Sequence, residues 1–263
     1  TGVSEVGPNF NPEVGFYARR GYQRLDSQVR TTFRPENSWG IHEFEPHVSH
    51  YTVVNFRTGQ QETQYTHFDN HIEWRNGHRL STGVNMTREG VLEPFEIYPG
   101  VDIPIGRYDH TEGIFRFYTN RGARFGVEVS SIAGGFFGGQ RMQIRPQVNM
   151  RIGETFNAEL GVDRNDIRLP WGDFVTNLGL FRVSYSFTTR MFFQALFQYN
   201  DRRDLWSSNI RFGVLSDANA GLFVVYNDIR YFDDLVGQRF TERDGLGGRT
   251  LTVKFSHVFD VLR

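Results

Sequence analysis

Three absences restrict the class of protein that this sequence can encode. The chain has no cysteine, so it can form neither a disulfide framework nor a thiolate metal site. No stretch approaches the roughly 20 apolar residues that a membrane helix requires. Apolar residues at helical spacing are hard to find anywhere in the 263 residues, whereas apolar and polar residues alternate almost continuously. We therefore expect an all-β protein.

Charge of one sign is also lacking, because the formal net charge is −1 and the isoelectric point is about 6.7. This balance excludes the basic footprint of a general nucleic-acid-binding protein. Lys254 is the only lysine among 29 basic residues. Arginine forms bidentate ion pairs with carboxylates, although a G+C-rich genome would produce the same bias.

The alternation of apolar and polar residues defines about 13 segments, most of them longer than the strands of soluble sheets, which average about 5 to 6 residues. A tilted membrane strand needs about 9 to 11 residues. The predicted segments are 24–35, 40–57, 61–75, 78–88, 110–120, 124–135, 140–152, 155–165, 175–188, 191–200, 205–215, 220–232 and 249–262.

The connections between these segments tend to alternate between long and short. Residues 89–109, 163–173 and 233–248 are predicted to be long loops, whereas 75–77, 152–155 and 188–190 are predicted to be tight turns. Outer-membrane barrels have short turns on one side and long external loops on the other. Segment length and loop pattern together predict an antiparallel, up-and-down transmembrane β-barrel. The alternative is a soluble all-β protein.

One face of the segment RMQIRPQVNMRIG carries only polar residues. In a barrel such a face lines a polar interior, whereas in a packed core each buried charge would need a partner. Pro146, on the other face, lacks a ladder donor and predicts a bulge or a strained point. The residues predicted to face the interior are Arg141, Gln143, Arg145, Gln147, Asn149, Arg151, Arg182 and Arg211.

Thirteen strands is an odd number, and single-chain bacterial barrels have an even number. The first residues, TGVSEVGPNFNPEVG, are polar and do not form a signal peptide. We therefore expect that the chain belongs to a larger barrel with upstream strands. Residues 1–23 are predicted to form an entry segment, plug or turn, and residues 24–263 the barrel strands.

Three stretches resemble a known family: NFNPEVGF (9–16), residues 177–228, which begin NLGLFRVSYSFTT, and the terminal LTVKFSHVFDVLR (251–263). They are similar to the C-terminal barrel domain, of unknown function, in large bacterial outer-membrane proteins. Members of that family carry a family 9 carbohydrate-binding-module-like domain before the barrel. The resemblance implies a bacterial outer-membrane location and a link between the parent protein and carbohydrate binding.

Six of the eight histidines fall between residues 42 and 78. By alternation, histidines and carboxylates share a face in each of two neighbouring segments, and a turn at RTGQQ would pair 47 with 71 and 45 with 73. Histidine with carboxylate suits zinc, manganese or a similar ion, but an ion-paired interior wall explains the same pattern. A general base is a further alternative. The candidate ligands are Glu45, His47, His67, Asp69, His71 and Glu73.

Other motifs predict structure and no chemistry. DRNDIR (163–168) lacks the glycine and the terminal glutamate of a calcium loop, so we expect an external loop. The glycine-rich stretches 133–140 and 244–250 lack the end of a phosphate-binding loop, so we expect both to be hairpin connections. We expect Trp39, Trp74, Trp171 and Trp206 to form aromatic girdles at the membrane interfaces. Phe255 and Phe259, in the last segment, resemble a barrel-assembly signal.

The sequence therefore predicts the C-terminal part of a bacterial outer-membrane barrel with a structural or channel role. We expect no catalytic residues and no cofactor. The expected partners are outer-membrane lipid, the barrel-assembly machinery and, through the parent protein, a saccharide or other subunits, but not nucleic acid. A soluble binding module and a barrel enzyme using the His/Asp face are the alternatives.

Overall fold

The chain folds almost entirely into antiparallel strands, as the alternation of residues predicts. The computed structural model describes residues 1–15, 19–36, 39–217, 220–232, 240–241 and 248–257. The strands are β1 Gly2–Val6, β2 Tyr22–Arg30, β3 Ile41–Asn55, β4 Gln61–Trp74, β5 Arg79–Val91, β6 Phe95–Tyr98, β7 Val101–Ile103, β8 Gly106–Tyr118, β9 Phe125–Phe136, β10 Gly139–Ile152, β11 Phe156–Leu169, β12 Gly172–Ser186, β13 Met191–Asn200, β14 Leu205–Asp217, β15 Ala220–Phe232, β16 Phe240–Thr241 and β17 Gly248–Ser256.

Fifteen of these strands form one large sheet, in which neighbours in the chain are hydrogen-bonded neighbours in space. The order runs from β1 to β5 and from β8 to β16, and β17 also pairs with β15. The short strands β6 and β7 form a separate hairpin. Among the described residues no pairing joins β1 to β17, so the described sheet is not closed into a barrel.

The sequence located the long strands well and missed the short ones. Each of the 13 predicted segments coincides with a strand, and strands reach 15 residues in β3 and β12. β1 lies in the predicted entry segment, where it pairs with β2, and β6 and β7 lie in the predicted loop 89–109. β10 continues without a break through Pro146. Phe259 and the end of the last predicted segment lie outside the described residues, as does most of the loop 233–248.

One predicted loop is wrong, and one predicted hairpin connection is present but shorter than expected. DRNDIR (163–168) does not form a loop, because β11 continues through it to Leu169. The stretch 134–140 is strand except for Phe137 and Gly138, whose φ angles of 42° and 76° suit the tight turns that join hairpin strands. Long and short connections therefore alternate less regularly than the sequence predicted.

Two compact units divide the chain, and each is described separately below. Unit 1 comprises Thr1–Asn120, Val129–Gln143 and Asn165–Val175, and unit 2 comprises the remaining segments. None of the described segments is a helix with the length and apolar character needed to cross a membrane. Within the part of the chain that the structure describes, the one helical element is a short 3₁₀ turn, Asp201–Arg203.

The main buried apolar cluster in unit 1 is built around the β6–β7 hairpin. Val101 and Ile103 of the hairpin pack with Val91, Ile167 and Leu169, and aromatic rings surround this cluster. The ring of Tyr98 stacks on that of Phe174 with centroids 4.4 Å apart, and the Tyr108 hydroxyl donates a hydrogen bond to the Pro104 carbonyl at 2.8 Å. The connection between β5 and β8 is therefore folded onto the strands.

Candidate functional site

In a water-soluble sheet the apolar face is buried and the polar face is exposed. The two faces of β10 show the reverse. On its apolar face Met142 is 56% exposed and Ile144 is 37% exposed, whereas Gln143 on its polar face is only 6% exposed. Of the other residues predicted to face an interior, Arg141, Gln147 and Asn149 are half-buried, whereas Arg145 and Arg151 are exposed.

The same inversion extends across β3, β4, β5 and β8 in unit 1. Register places His47 opposite Asp69, and His67 opposite Asn85, which in turn lies opposite Glu112. We call the side of the sheet that carries these residues the polar face of unit 1. His47, Asn85 and Glu112 are all buried.

The opposite side of these four strands carries rows of apolar residues between polar ones such as Asn70 and Thr82. Val48 lies opposite Phe68, which lies opposite Val84, and all three are exposed. This side is called the apolar face of unit 1. Near the ends of β5 and β8 it becomes polar, where the Arg88 guanidinium contacts the Asp109 carboxylate at 2.5 Å.

Unit 2 also has one side that carries aromatic and apolar residues, but its burial is not inverted. Ala195 on that side is buried, whereas Arg182 and Arg211 on the other side are exposed. On one side Phe193, Phe212 and Val224 follow one another across β13, β14 and β15. On the other side the predicted interior residue Arg211 lies opposite Gln194, and Asn209 donates a hydrogen bond to Asn227. Arg182, also predicted to face the interior, approaches Glu159 at 3.6 Å.

Carboxylates and amides accept hydrogen bonds from the arginines of the polar faces. Arg141 Nε and Nη2 both donate to Glu112 Oε1, at 2.9 and 2.5 Å, and its guanidinium lies 4.6 Å from the centre of the Phe136 ring. In unit 2, Arg145 Nε donates to Asp163 at 2.7 Å. Because a buried charge is costly without a partner, the Glu112 side chain depends on Arg141.

The structure brings together three of the six predicted metal ligands. His47, Asp69 and His71 each offer one ligand atom, and these atoms all lie within 4.8 Å of one another. The predicted pairing of 47 with 71 and 45 with 73 was wrong by two residues. The observed pairs are His47 with Asp69 and Glu45 with His71. A shift of two residues preserves the face, and so the cluster forms despite the error.

Hydrogen bonds orient the members of this cluster. His71 Nε2 lies 2.9 Å from Asp69 Oδ2, and Arg79 Nη2 donates to His71 Nδ1 at 2.5 Å. His71 therefore carries its proton on Nε2 and donates it to Asp69. The Glu45 carboxylate lies 3.9 Å from His71 Nδ1 and 3.7 Å from Arg79 Nη2.

Besides Glu45, two further predicted ligands, His67 and Glu73, lie outside the group of His47, Asp69 and His71. His67 Nδ1 is 2.7 Å from Asn85 Oδ1, which also accepts a hydrogen bond from the Tyr65 hydroxyl at 2.8 Å. His67 Nε2 lies 3.5 Å from Asp69 Oδ2. Glu73 pairs in register with Glu43 and Arg79, further along β4 from Asp69.

A glycine makes room for Asp69. Gly83 lies opposite Asp69, and a Cβ added there would lie 2.3 Å from the Phe68 carbonyl oxygen and 3.0 Å from Asp69 Cβ. Sequence reasoning missed Gly83, Arg79, Asn85 and Glu112, because only the register of β4, β5 and β8 reveals that they share a face with the histidines.

All four tryptophans lie at or near strand ends, as the sequence predicts, and Trp171 lies in the turn between β11 and β12. Trp39 is exposed in the turn before β3, Trp74 ends β4, and Trp206 near the start of β14 contacts the Phe197 ring at 5.9 Å. Trp171 packs edge-on against Tyr108 at 5.8 Å, in the aromatic cluster of the β6–β7 hairpin.

The arrangement can hold a cation, neutralise charged groups on a polar face and present an apolar face to a non-aqueous environment. Comparisons with protein-family models, curated proteins and solved structures give no match to this chain.

Proposed function

We propose that this chain forms part of a transmembrane β-barrel of a bacterial outer membrane, with a structural or channel role. In this proposal the apolar faces contact lipid, and the polar faces line the interior of the barrel. The observed fold is all-β and antiparallel, and a bilayer is the environment that we propose for it.

The inverted burial of the two faces is the observation that carries the proposal. A water-soluble sheet buries its apolar side chains and exposes its charged ones. Here Glu112, Asn85 and Gln143 are buried, whereas Val84 and Phe68 are exposed. Large exposed apolar side chains in a row on a soluble protein are an aggregation hazard, whereas in a membrane they provide the lipid contact.

The position of the polar residues on the apolar face of unit 1 supports the same environment. On β5 the residues pointing to this face run from Leu80 through Val84 to Arg88. With a rise of about 3.4 Å per residue and a tilt of about 45°, the eight-residue step covers roughly 19 Å of depth. Arg88 and its partner Asp109 would then reach the headgroup region at the end of the strands where the long β5–β8 connection lies.

The β6–β7 hairpin supports a channel with a narrowed entrance. It packs on Val91 and Tyr108, and Tyr108 pairs in register with Glu89. Glu89 and Asn85 point to the same side of β5 by alternation, so the hairpin lies over the polar face. In a barrel this connection would fold inward and reduce the width of the interior.

Closure of the barrel requires partners for both sheet edges, because an unpaired backbone group in lipid costs several kcal/mol. The described sheet has 15 strands, and single-chain bacterial barrels have an even number. We propose that strands of a longer parent chain complete the barrel and that the barrel-assembly machinery inserts it. The resemblance to barrels that follow a family 9 carbohydrate-binding-module-like domain supports a saccharide as the ligand of the parent protein.

Heat-modifiability of the full-length native protein in detergent tests the proposal. A closed barrel migrates differently on a gel before and after boiling, and the unboiled form should give a strand-rich circular dichroism spectrum. The protein should also fractionate with outer membranes. A chain that remains soluble without detergent and shows no gel shift would refute the membrane assignment.

A further inference from the structure

The His47, Asp69 and His71 side chains form a group that the barrel role leaves without a use. The three residues come from two neighbouring strands, β3 and β4, and their ligand atoms lie within 4.8 Å of one another. The His47 ring lies 5.0 Å from the His71 ring and 5.1 Å from the His67 ring, measured between centroids. Three imidazoles therefore surround one carboxylate.

A second observation points to a missing ligand at this group. His47 is only 8% exposed, and its Nδ1 atom is buried without a hydrogen-bond partner. Buried polar atoms in native proteins nearly always have a partner, and an exception calls for an explanation such as an ion. A lone pair on a buried imidazole nitrogen is a suitable donor for a cation.

We propose that His47, Asp69 and His71 bind one divalent transition-metal ion of the zinc type. Two imidazoles and a carboxylate suit zinc, cobalt, nickel and non-haem iron, and they disfavour calcium and magnesium, which prefer oxygen ligands. Three protein ligands leave one tetrahedral position open to water or to a ligand from the interior. This site does not depend on the membrane assignment, since both strands and their register are part of the observed sheet.

Small side-chain movements would close the site. Ligand atoms bound to zinc at about 2.0–2.1 Å in a tetrahedron lie about 3.3 Å from one another, so the present separations must shrink by about 1.5 Å at most. Gly83 keeps the space beside Asp69 free of a side chain. The backbone register need not change.

The proton and the arginine on His71 must also rearrange when a metal binds. If the metal takes Nε2, the proton that Nε2 now donates to Asp69 leaves, and Nδ1 becomes the protonated nitrogen. Arg79 must then release Nδ1, where it donates at 2.5 Å. Glu45, whose carboxylate lies 3.9 Å from the same nitrogen, would accept a hydrogen bond from Nδ1–H, as carboxylates commonly do behind a metal-bound histidine.

Titration of Zn²⁺ into the metal-free full-length protein in detergent, monitored by calorimetry, tests the site. We expect one Zn²⁺ per chain for the native protein and loss of that binding in Asp69→Asn and His71→Gln. Glu45→Gln should weaken binding by about 10- to 100-fold, as loss of a carboxylate behind a ligand does. His50→Gln is the matched control, because His50 lies on β3 on the opposite face, where it contacts Thr66, and it should bind as the native protein does.

X-ray absorption of the native protein with one Zn²⁺ gives a second readout that needs no variant to fold. Two imidazoles and an oxygen in the zinc coordination shell would support the site. A shell of water oxygens alone, or equal affinity of the native protein and folded Asp69→Asn, would overturn it. If circular dichroism shows that the variants are unfolded, the X-ray absorption spectrum of the native protein alone tests the site.

Discussion

An arginine at the centre of the apolar face should cost far more stability than an arginine near its end. Val84 lies on this face of β5, between Phe68 and Gly113 in register. If the face contacts lipid, Val84→Arg places a charge close to the midplane of the bilayer. The expected cost is about 2–4 kcal/mol of unfolding free energy. On the exposed face of a water-soluble sheet, the same substitution would change stability by only about 0.5 kcal/mol.

Gln64→Arg is the matched control for depth. Gln64 lies on the same face and pairs with Arg88, at the end of the strands where this face is already charged. An arginine there should cost about 0–1 kcal/mol. Reversible urea unfolding of the full-length protein in phospholipid vesicles measures both values. If Val84→Arg destabilises the protein no more than Gln64→Arg does, the assignment of this face to lipid is wrong.

Three further predictions concern the polar face and the hairpin. Arg141→Ala leaves its buried carboxylate partner uncompensated and should cost about 3–5 kcal/mol, whereas the more exposed pair lost in Arg145→Ala should cost about 0–1 kcal/mol; equal costs in urea unfolding would contradict the burial argument. Gly83→Ala should cost about 1–3 kcal/mol through overpacking, whereas Gly179→Ala, where the nearest atom to an added Cβ is 4.0 Å away, should cost less; the same unfolding assay distinguishes them. Replacing 93–104 by a short glycine–serine linker should raise single-channel conductance in planar bilayers, and an unchanged conductance would show that the hairpin does not narrow the interior.

The sequence predicted the long strands because their physical signal is local. In β10 and β12 every second residue is apolar over much of the strand, and this period needs no tertiary information. The same alternation also predicted which residues share a face of each strand. The short strands β6 and β7 were missed, because three or four residues are too few to establish a period of two and because their apolar residues serve the packing on Val91 and Ile167.

The candidate site was predicted only in part, since it depends on contacts between strands. Alternation placed Asp69 and His71 on one face of β4, but the pairing with β3 was wrong by two residues. Small irregularities in register near Val53 and Ile41 cannot be read from residue types. Arg79, which holds His71 Nδ1, comes from a third strand, and its role appears only when β4 and β5 are paired.

The central claim is that one face of the sheet contacts lipid, and single-cysteine scanning along β5 tests it most directly. Residues 1–263 contain no cysteine, so each of residues 80–87 except Gly83 can be replaced singly by cysteine and spin-labelled in vesicles, in a full-length protein from which any cysteine outside these residues has been removed. Accessibility to oxygen, which concentrates in lipid, should be high at 80, 82, 84 and 86 and low at 81, 85 and 87. Accessibility to a water-soluble nickel complex that is uniformly high at 80, 82, 84 and 86 would contradict the account.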